Sequence, residues 1–222
     1  MENISTSMVK TAVNPNDEKN KSSLQSGPPP DTLKTADVID DNKFSYPNIF
    51  RDYDIRGLAD KELTNENVNS IAKAIGSEII AAGFKEVIVG YDGRNSSERI
   101  KKSLIKGLLS TGCHVINIGL VPSPVLYFSI ENSKDKTGIM ITGSHNPADY
   151  NGLKITIGNQ RLQGDKLLGL MHRIESYELT KGEGHYTDQD TKKGYIDAAV
   201  ENIILTRPLK VVIDASNGAA GH

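Results

Sequence analysis

The chain has 222 residues, enough for one or two domains, and carries 26 basic against 28 acidic residues for a net charge of −2. With no Trp and only 5% aromatic residues, it offers neither a basic surface for nucleic acid or membrane nor a set of base-stacking platforms. Its single cysteine, Cys113, excludes an internal disulfide and fits a reducing, cytoplasmic setting.

No apolar run approaches the ~20 residues needed to span a bilayer. No apolar core flanked by basic residues opens the chain, so no signal peptide is expected. Residues 1–43 are rich in Asn, Lys, Ser, Thr and Asp, with Gly27-Pro-Pro-Pro30 among them. Their scattered apolar residues are too few to bury a core, which predicts a disordered leader. The globular part is expected to start at Phe44.

Ile49 to Ile55 reads as the first strand, ending in Arg56-Gly57. Thr64 to Ala82 reads as a helix, because Val68, Ile71, Ala72, Ile75 and Ile79 recur on one face. Thr64 suits its N-cap and Gly83 its end. Glu86–Gly90 is the next strand, and Tyr91-Asp-Gly-Arg94 a turn in which Asp92 and Arg94 read as structural. Asn95 and Glu98 resemble a capping box for a helix running to about Ser110. Cys113 opens a strand to Ile118 and reads as a small buried hydrophobe rather than a reactive thiol. A Pro-punctuated turn then leads into a short helix, Val125–Glu131.

Thr137-Gly-Ile-Met-Ile141 reads as a short buried strand that ends abruptly in the polar loop Thr142-Gly-Ser-His-Asn-Pro147. Leu153–Ile157 reads as the strand after it. A loop with a hydroxyl, an imidazole and an amide therefore leaves a strand end, where ligands gather in α/β proteins. Gly143 and Ser144 let the backbone approach an anion.

Leu162–Ser176 reads as a helix. Glu178–Lys193 is charged and aperiodic and reads as an inter-domain linker. Gly194–Leu205 reads as a helix using Ile196, Ala199, Val200 and Ile203. Leu209–Asp214 reads as a buried strand, followed by a turn at Ala215-Ser-Asn-Gly218. Strands alternating with helices predict an α/β fold with a mixed, largely parallel sheet flanked by helices. The expected organisation is a leader over 1–43, a first domain over 44–180, a linker over 181–193, and the start of a truncated second α/β domain over 194–222. No Walker, G-x-G-x-x-G, C-x-x-C, H-E-x-x-H or EF-hand pattern occurs.

Three blocks, in order, resemble the α-D-phosphohexomutases, the family of phosphomannomutase and phosphoglucomutase. Thr142–Pro147 resembles their phosphoserine loop. Phe50-Arg-Asp-Tyr-Asp-Ile-Arg-Gly57 resembles their opening strand and turn, and Asn151-Gly-Leu-Lys-Ile155 the segment after the serine loop. The resemblance implies interconversion of hexose 1-phosphate and hexose 6-phosphate through a phosphoserine and a hexose 1,6-bisphosphate intermediate. It places the phosphoryl group on Ser144 and makes Lys154 a proton shuttle or charge stabiliser. His145 becomes a hydrogen-bond donor to substrate or phosphate. Arg56, Tyr53, Thr142 and Asn146 become substrate- or phosphate-binding residues.

A purely local Ser144–His145 hydrolase pair is disfavoured, since neighbouring side chains diverge in extended structure and no G-x-S-x-G elbow occurs. The resemblance also implies Mg²⁺, held through the Ser144 phosphate. The family's aspartate-rich metal loop and its later sugar- and phosphate-binding loops are not found in these residues, so the chain alone is expected to be inactive or nearly so. The rival expectation is a non-catalytic remnant or phosphosugar-binding regulatory piece.

Overall fold

Residues 44–221 are described by a computed structural model; the leader expected over 1–43 and His222 lie outside the described residues. The elements are β1 (Ile55–Leu58), α1 (Asn65–Ala81), β2 (Glu86–Tyr91), α2 (Ser97–Leu109), β3 (His114–Leu120), α3 (Ser123–Glu131), β4 (Gly138–Ile141), β5 (Tyr150–Ile157), β6 (Gln160–Arg161), α4 (Asp165–Glu175), β7 (Tyr186–Asp188) and α5 (Lys192–Glu201).

The strands form one mixed sheet in the order β1-β5-β4-β2-β3-β7, with β6 added to β5. Pairing is parallel from β4 through β2 and β3 to β7, and antiparallel around β5. The expected α/β fold is therefore found. Among the described residues no helix is long and apolar enough to cross a membrane.

Alternation along the strands sorts the sheet into two faces. Val87, Val89, Ile139, Ile141, Leu153 and Ile155 point to one face and pack with Ile71, Ile75, Leu104 and Leu167 from α1, α2 and α4. Each such fully buried Ile or Leu contributes about 1.5–3 kcal/mol of burial. Ile88, Ile118 and Met140 point the other way, under Val125, Leu126 and Ile130 of α3. On that second face β5 and β1 present Gly152, Lys154 and Arg56 in place of large apolar residues. The sheet thus brings charge to the α3 face just where α3 leaves it uncovered.

Helix α1 forms as its periodicity predicts. Val68, Ile71, Ala72, Ile75 and Ile79 are all fully buried. Thr64 Oγ1 accepts the Asn67 N–H at 3.2 Å, and Gly83 closes the helix at φ +85°. Cys113 is buried as expected, and burial pushes its thiol above the ordinary value.

Several expected elements come out differently. The first strand is Ile55–Leu58, not Ile49–Ile55. Pro47–Ile49 make a 3-10 turn, and Arg51 N–H donates to Asp54 O at 2.9 Å, so Phe50 and Ile55 bridge across a tight turn. Asn95 does not cap α2. Ser96 holds that position, without a capping bond from its side chain. Residues 181–193, expected as a linker, bridge Thr111 through Gly182 and add β7 beside β3.

The end of the chain also departs from expectation. α5 leaves Ile196 and Val200 exposed and is held to α3 by an edge-on contact between Tyr195 and Phe128. Leu209–Asp214 forms no strand, and Val212 is 99% exposed. An apolar segment needs a ladder partner to hold strand geometry, and no described strand pairs with this one.

Gly152 sits where β1, β5 and the end of β4 converge. A Cβ there would lie 2.3 Å from Ile55 O, closer than any real contact. Gly152→Ala is expected to push β1 off β5 and to cost about 1–3 kcal/mol. A urea titration measures this; an unchanged midpoint would show that the strand pair accommodates the methyl group.

Candidate active site

The loop after β4 is built by its own side chains. Thr142 N–H donates to Gly152 O at 3.0 Å, which continues the β4–β5 ladder by one residue. Thr142 Oγ1 turns back to accept the Ser144 N–H at 2.9 Å. Asn146 donates twice to Gly143 O, from its N–H at 3.0 Å and its Nδ2 at 2.8 Å. Between these two small turns Ser144 is forced to φ +53°, a left-handed conformation that costs a non-glycine residue on the order of 1 kcal/mol or more.

Because Ser144 is left-handed, its side chain does not diverge from that of His145. Ser144 Oγ stands 3.4 Å from His145 Nδ1, so the geometric objection to contact between them falls. The contact is long for a hydrogen bond to a hydroxyl, and both residues are exposed.

What holds the loop from outside is Arg94. Its Nη2 donates to Ser144 O at 2.9 Å and to Asn146 O at 2.7 Å. Its Nη1 donates to Tyr150 O at 3.0 Å and to Pro147 O. Four loop carbonyls thus converge on one guanidinium, a task for a planar fork with several fixed donors. The guanidinium lies against Gly143, where a Cβ would come within 2.5 Å of Arg94 Cζ. Gly143 is therefore required by packing.

Asp92 locks the arginine in turn. Its Oδ2 lies 3.4 Å from Arg94 Nε and accepts the Gly143 N–H at 3.3 Å. Its Oδ1 accepts from Ser97 Oγ at 2.6 Å and from the Arg94 N–H at 3.2 Å. Buried Asn151 completes the support by donating to Ser96 Oγ at 2.9 Å and Ser97 Oγ at 3.0 Å. These hydroxyls face Asp92 and Asn151, which is why neither caps α2.

Asp92 follows β2 and Thr142 follows β4, so the loop lies at the carboxyl edge of the parallel strands, where α/β proteins bind ligands. A cleft of about 890 Å³ opens there, lined by Asp92, Arg94, Asn95, Leu120, Ser144, Asn146, Ser216 and Asn217 among others. Ser144 is thus an exposed hydroxyl on a braced loop at the mouth of a cleft.

Arg56 and Lys154 come together at a second point. Asp54 Oδ2 accepts from Arg56 Nη2 at 2.7 Å and from Lys154 Nζ at 2.9 Å. Burial acts to raise the Asp54 carboxyl, but the hydrogen bonds and charges of Arg56 and Lys154 outweigh it and hold it below the ordinary carboxylate value. Tyr53 projects into solvent, 66% exposed. It lines no part of the cleft around Ser144 among the described residues.

Sequence reading missed the weight of Arg94, Asp92 and Asp54. A charged pair in the turn just past a central strand was the available signal for Asp92 and Arg94. For Asp54 there was none, since its partner Lys154 lies 100 positions away.

The described residues do not by themselves fit a cation site. Among them no group of three or more His, Cys, Asp or Glu is gathered closely enough to hold a metal ion. Asp54 and Asp92 are already committed to arginine, lysine, serine and backbone partners.

Arg94→Ala is expected to cost about 1–3 kcal/mol and to speed hydrogen exchange at the Ser144 and Asn146 amides. Arg94→Lys should fall short of rescue, because one ammonium cannot span four carbonyls. Exchange rates equal to wild type in the alanine variant would show that the loop braces itself. For Asp54 the pH dependence has a definite sign. Its lowered native value means the unfolded chain binds the proton first as pH falls, so the stability it contributes is full above the unfolded value. That stability is lost as pH drops through the native value. Asp54→Asn should flatten the acid limb of stability below about pH 4, as followed by denaturant midpoints across pH; an unaltered limb would contradict the ion-pair assignment.

Residues 47–180 match the family described as phosphoglucomutase/phosphomannomutase, alpha/beta/alpha domain I. Over 174 residues the chain is 44% identical to a phosphomannomutase/phosphoglucomutase of Pseudomonas aeruginosa, covering 78% of this chain and 38% of that protein. Over 176 residues it is 37% identical to a phosphoglucomutase of Neisseria gonorrhoeae, again covering 78% and 38%. A solved structure of a phosphoglucomutase/phosphomannomutase family protein from Burkholderia thailandensis aligns with a TM-score of 0.71 at 38% identity, over 73% of this chain and 37% of that one. The chain thus spans well under half the length of these relatives. The matched region takes in β1, the braced serine loop and β5 together, and on that match the chain belongs to the phosphoglucomutase/phosphomannomutase family.

Proposed function

We propose that this chain carries the phosphoryl-bearing part of a hexose-phosphate mutase, with Ser144 as the residue that gives and receives the phosphoryl group. The observation that carries the reading is the Ser144 hydroxyl itself, exposed at the cleft on a loop braced by four bonds from Arg94. Phosphoryl transfer depends mainly on positioning and charge stabilisation, and a braced loop supplies the first.

In the proposed cycle the Ser144 phosphate meets a free hydroxyl of a hexose 1- or 6-phosphate. The sugar oxygen bonds to phosphorus as the phosphorus–Oγ bond breaks; the hydroxyl proton passes to a nearby base, and the departing Ser144 Oγ takes up a proton to become the free hydroxyl. The hexose 1,6-bisphosphate so formed turns over, and Ser144 Oγ then takes its other phosphoryl group by the reverse displacement. His145 is positioned to contact the serine oxygen, at 3.4 Å. Lys154 and Arg56 supply positive charge toward the phosphoryl oxygens, with Lys154 also a candidate proton carrier. Thr142 and Asn146 use their side chains to shape the loop.

Mg²⁺ is what the family resemblance leads one to expect at the serine phosphate, but the described residues make no cation site and no step here runs through a metal. The mutase reaction is proposed for the whole protein, in a cytoplasmic setting.

Ser144→Ala in the whole protein is expected to keep the fold and to lower mutase turnover by about 10³-fold or more. A coupled assay on glucose 1-phosphate and mannose 1-phosphate measures it. Wild-type turnover in the variant would remove Ser144 from the mechanism. Hexose-phosphate binding without turnover in the unmodified protein would favour a phosphosugar-binding role instead.

A further inference from the structure

Asp54 is the one charged residue among the buried residues described. A single oxygen, Oδ2, takes both Arg56 and Lys154, and each of those side chains remains 25% exposed. The cations come from different strands. Arg56 of β1 pairs with Gly152 of β5, and Lys154 lies two residues further along β5, so both point to the same face. Two like charges on adjacent strands repel and would hold apart without an anion between them.

The pair also has a fixed relation to the serine loop. Thr142, the first residue of the loop, bonds to Gly152. A Cβ on Gly152 would lie 3.2 Å from Thr142 O and 3.4 Å from Arg56 Cα. Only a bare glycine therefore separates the backbone of Arg56 from the root of the loop.

The turn that carries Asp54 does not need its carboxylate. It is closed by the backbone bond from Arg51 N–H to Asp54 O, and no other hydrogen bond to the Asp54 side chain occurs among the described residues. The carboxylate serves the two cations.

We propose that Asp54 is a positioning residue of the phosphoryl-transfer site, which joins Lys154 and Arg56 into one fixed cationic pair beside the root of the serine loop. The proposal rests on the reading of Ser144 as the phosphoryl carrier. A phosphoryl group on serine carries about −1.5 to −2 charges near neutral pH. Cations already held in place need no reorganisation when that charge moves, which is how preorganised sites favour a transition state. A free lysine side chain would have to be ordered first. The carboxylate itself touches no reacting atom in this account.

The test uses the whole protein and two variants. Asp54→Asn keeps the size of the side chain and removes its charge. Asp54→Glu keeps the charge and displaces it by one methylene, and serves if the asparagine variant folds poorly. The expected result is a kcat lower by about a hundredfold in Asp54→Asn, with a much smaller change in KM, and an intermediate loss in Asp54→Glu. The pH profile of kcat should shift in Asp54→Asn, a change that a purely structural role would not produce. Folded variants with kcat within about twofold of wild type and an unmoved profile would overturn the proposal.

If the unmodified protein shows no mutase turnover, the Ser144 reading fails, and Asp54 is judged separately. Inorganic phosphate is then titrated into the 222-residue chain while the side-chain nitrogens of Lys154 and Arg56 are followed by NMR. One shared midpoint in wild type that splits in Asp54→Asn supports the joined pair. A shared midpoint that persists in the variant, or none in wild type, refutes it.

Discussion

Everything that this site can do depends on one guanidinium. Arg94 gathers the carbonyls of Ser144, Asn146, Pro147 and Tyr150, and so fixes the loop between β4 and the start of β5. Carbonyls turned toward one point repel each other as dipoles, and a cation among them is what makes the arrangement stable. The consequences run outward from there. Gly143 must lack a side chain to admit the arginine. Asp92 must be oriented to hold it, and Ser97, itself bonded by Asn151, orients Asp92.

The sheet explains why these groups can meet. β4 is central, with β2 on one side and β5 on the other. The turn after β2 brings Arg94, and the strand after the loop brings Gly152 and Lys154. The α1, α2 and α4 face buries the bulk of the apolar side chains. The α3 face is smaller and leaves room for Arg56, Lys154 and their shared carboxylate. Stability and chemistry are thus divided between the faces of one sheet. The left-handed Ser144 is the local strain that the brace sustains.

Much of this could be read from sequence because it is local. Helix α1 carries its periodicity, its cap and its terminating glycine within a stretch of adjacent residues. The serine loop was legible for the same reason, as a polar interruption between two apolar strands. The brace was not legible, since Arg94 acts 50 to 56 positions away in the chain. Asp54 stayed hidden because its value comes from Lys154 on another strand.

The failures have physical causes too. Pro47 and the Arg51–Asp54 turn displaced the first strand, although the residues from Ile49 on read as strand-like. Leu209–Asp214 has strong strand composition but no ladder to join, so composition alone overstated it. His145 was set apart from Ser144 by assuming extended backbone, and a positive φ at Ser144 removed that assumption.

The central claim is that Ser144 carries the phosphoryl group, and locating the phosphate directly tests it most sharply. The whole protein would be incubated with hexose 1,6-bisphosphate, digested, and the peptide containing Thr142–Pro147 sequenced by mass spectrometry. The account predicts one phosphoryl group on Ser144, lost again when excess hexose monophosphate is added. Phosphate on another residue, or a Ser144 that stays unmodified in a protein that turns the bisphosphate over, would contradict it.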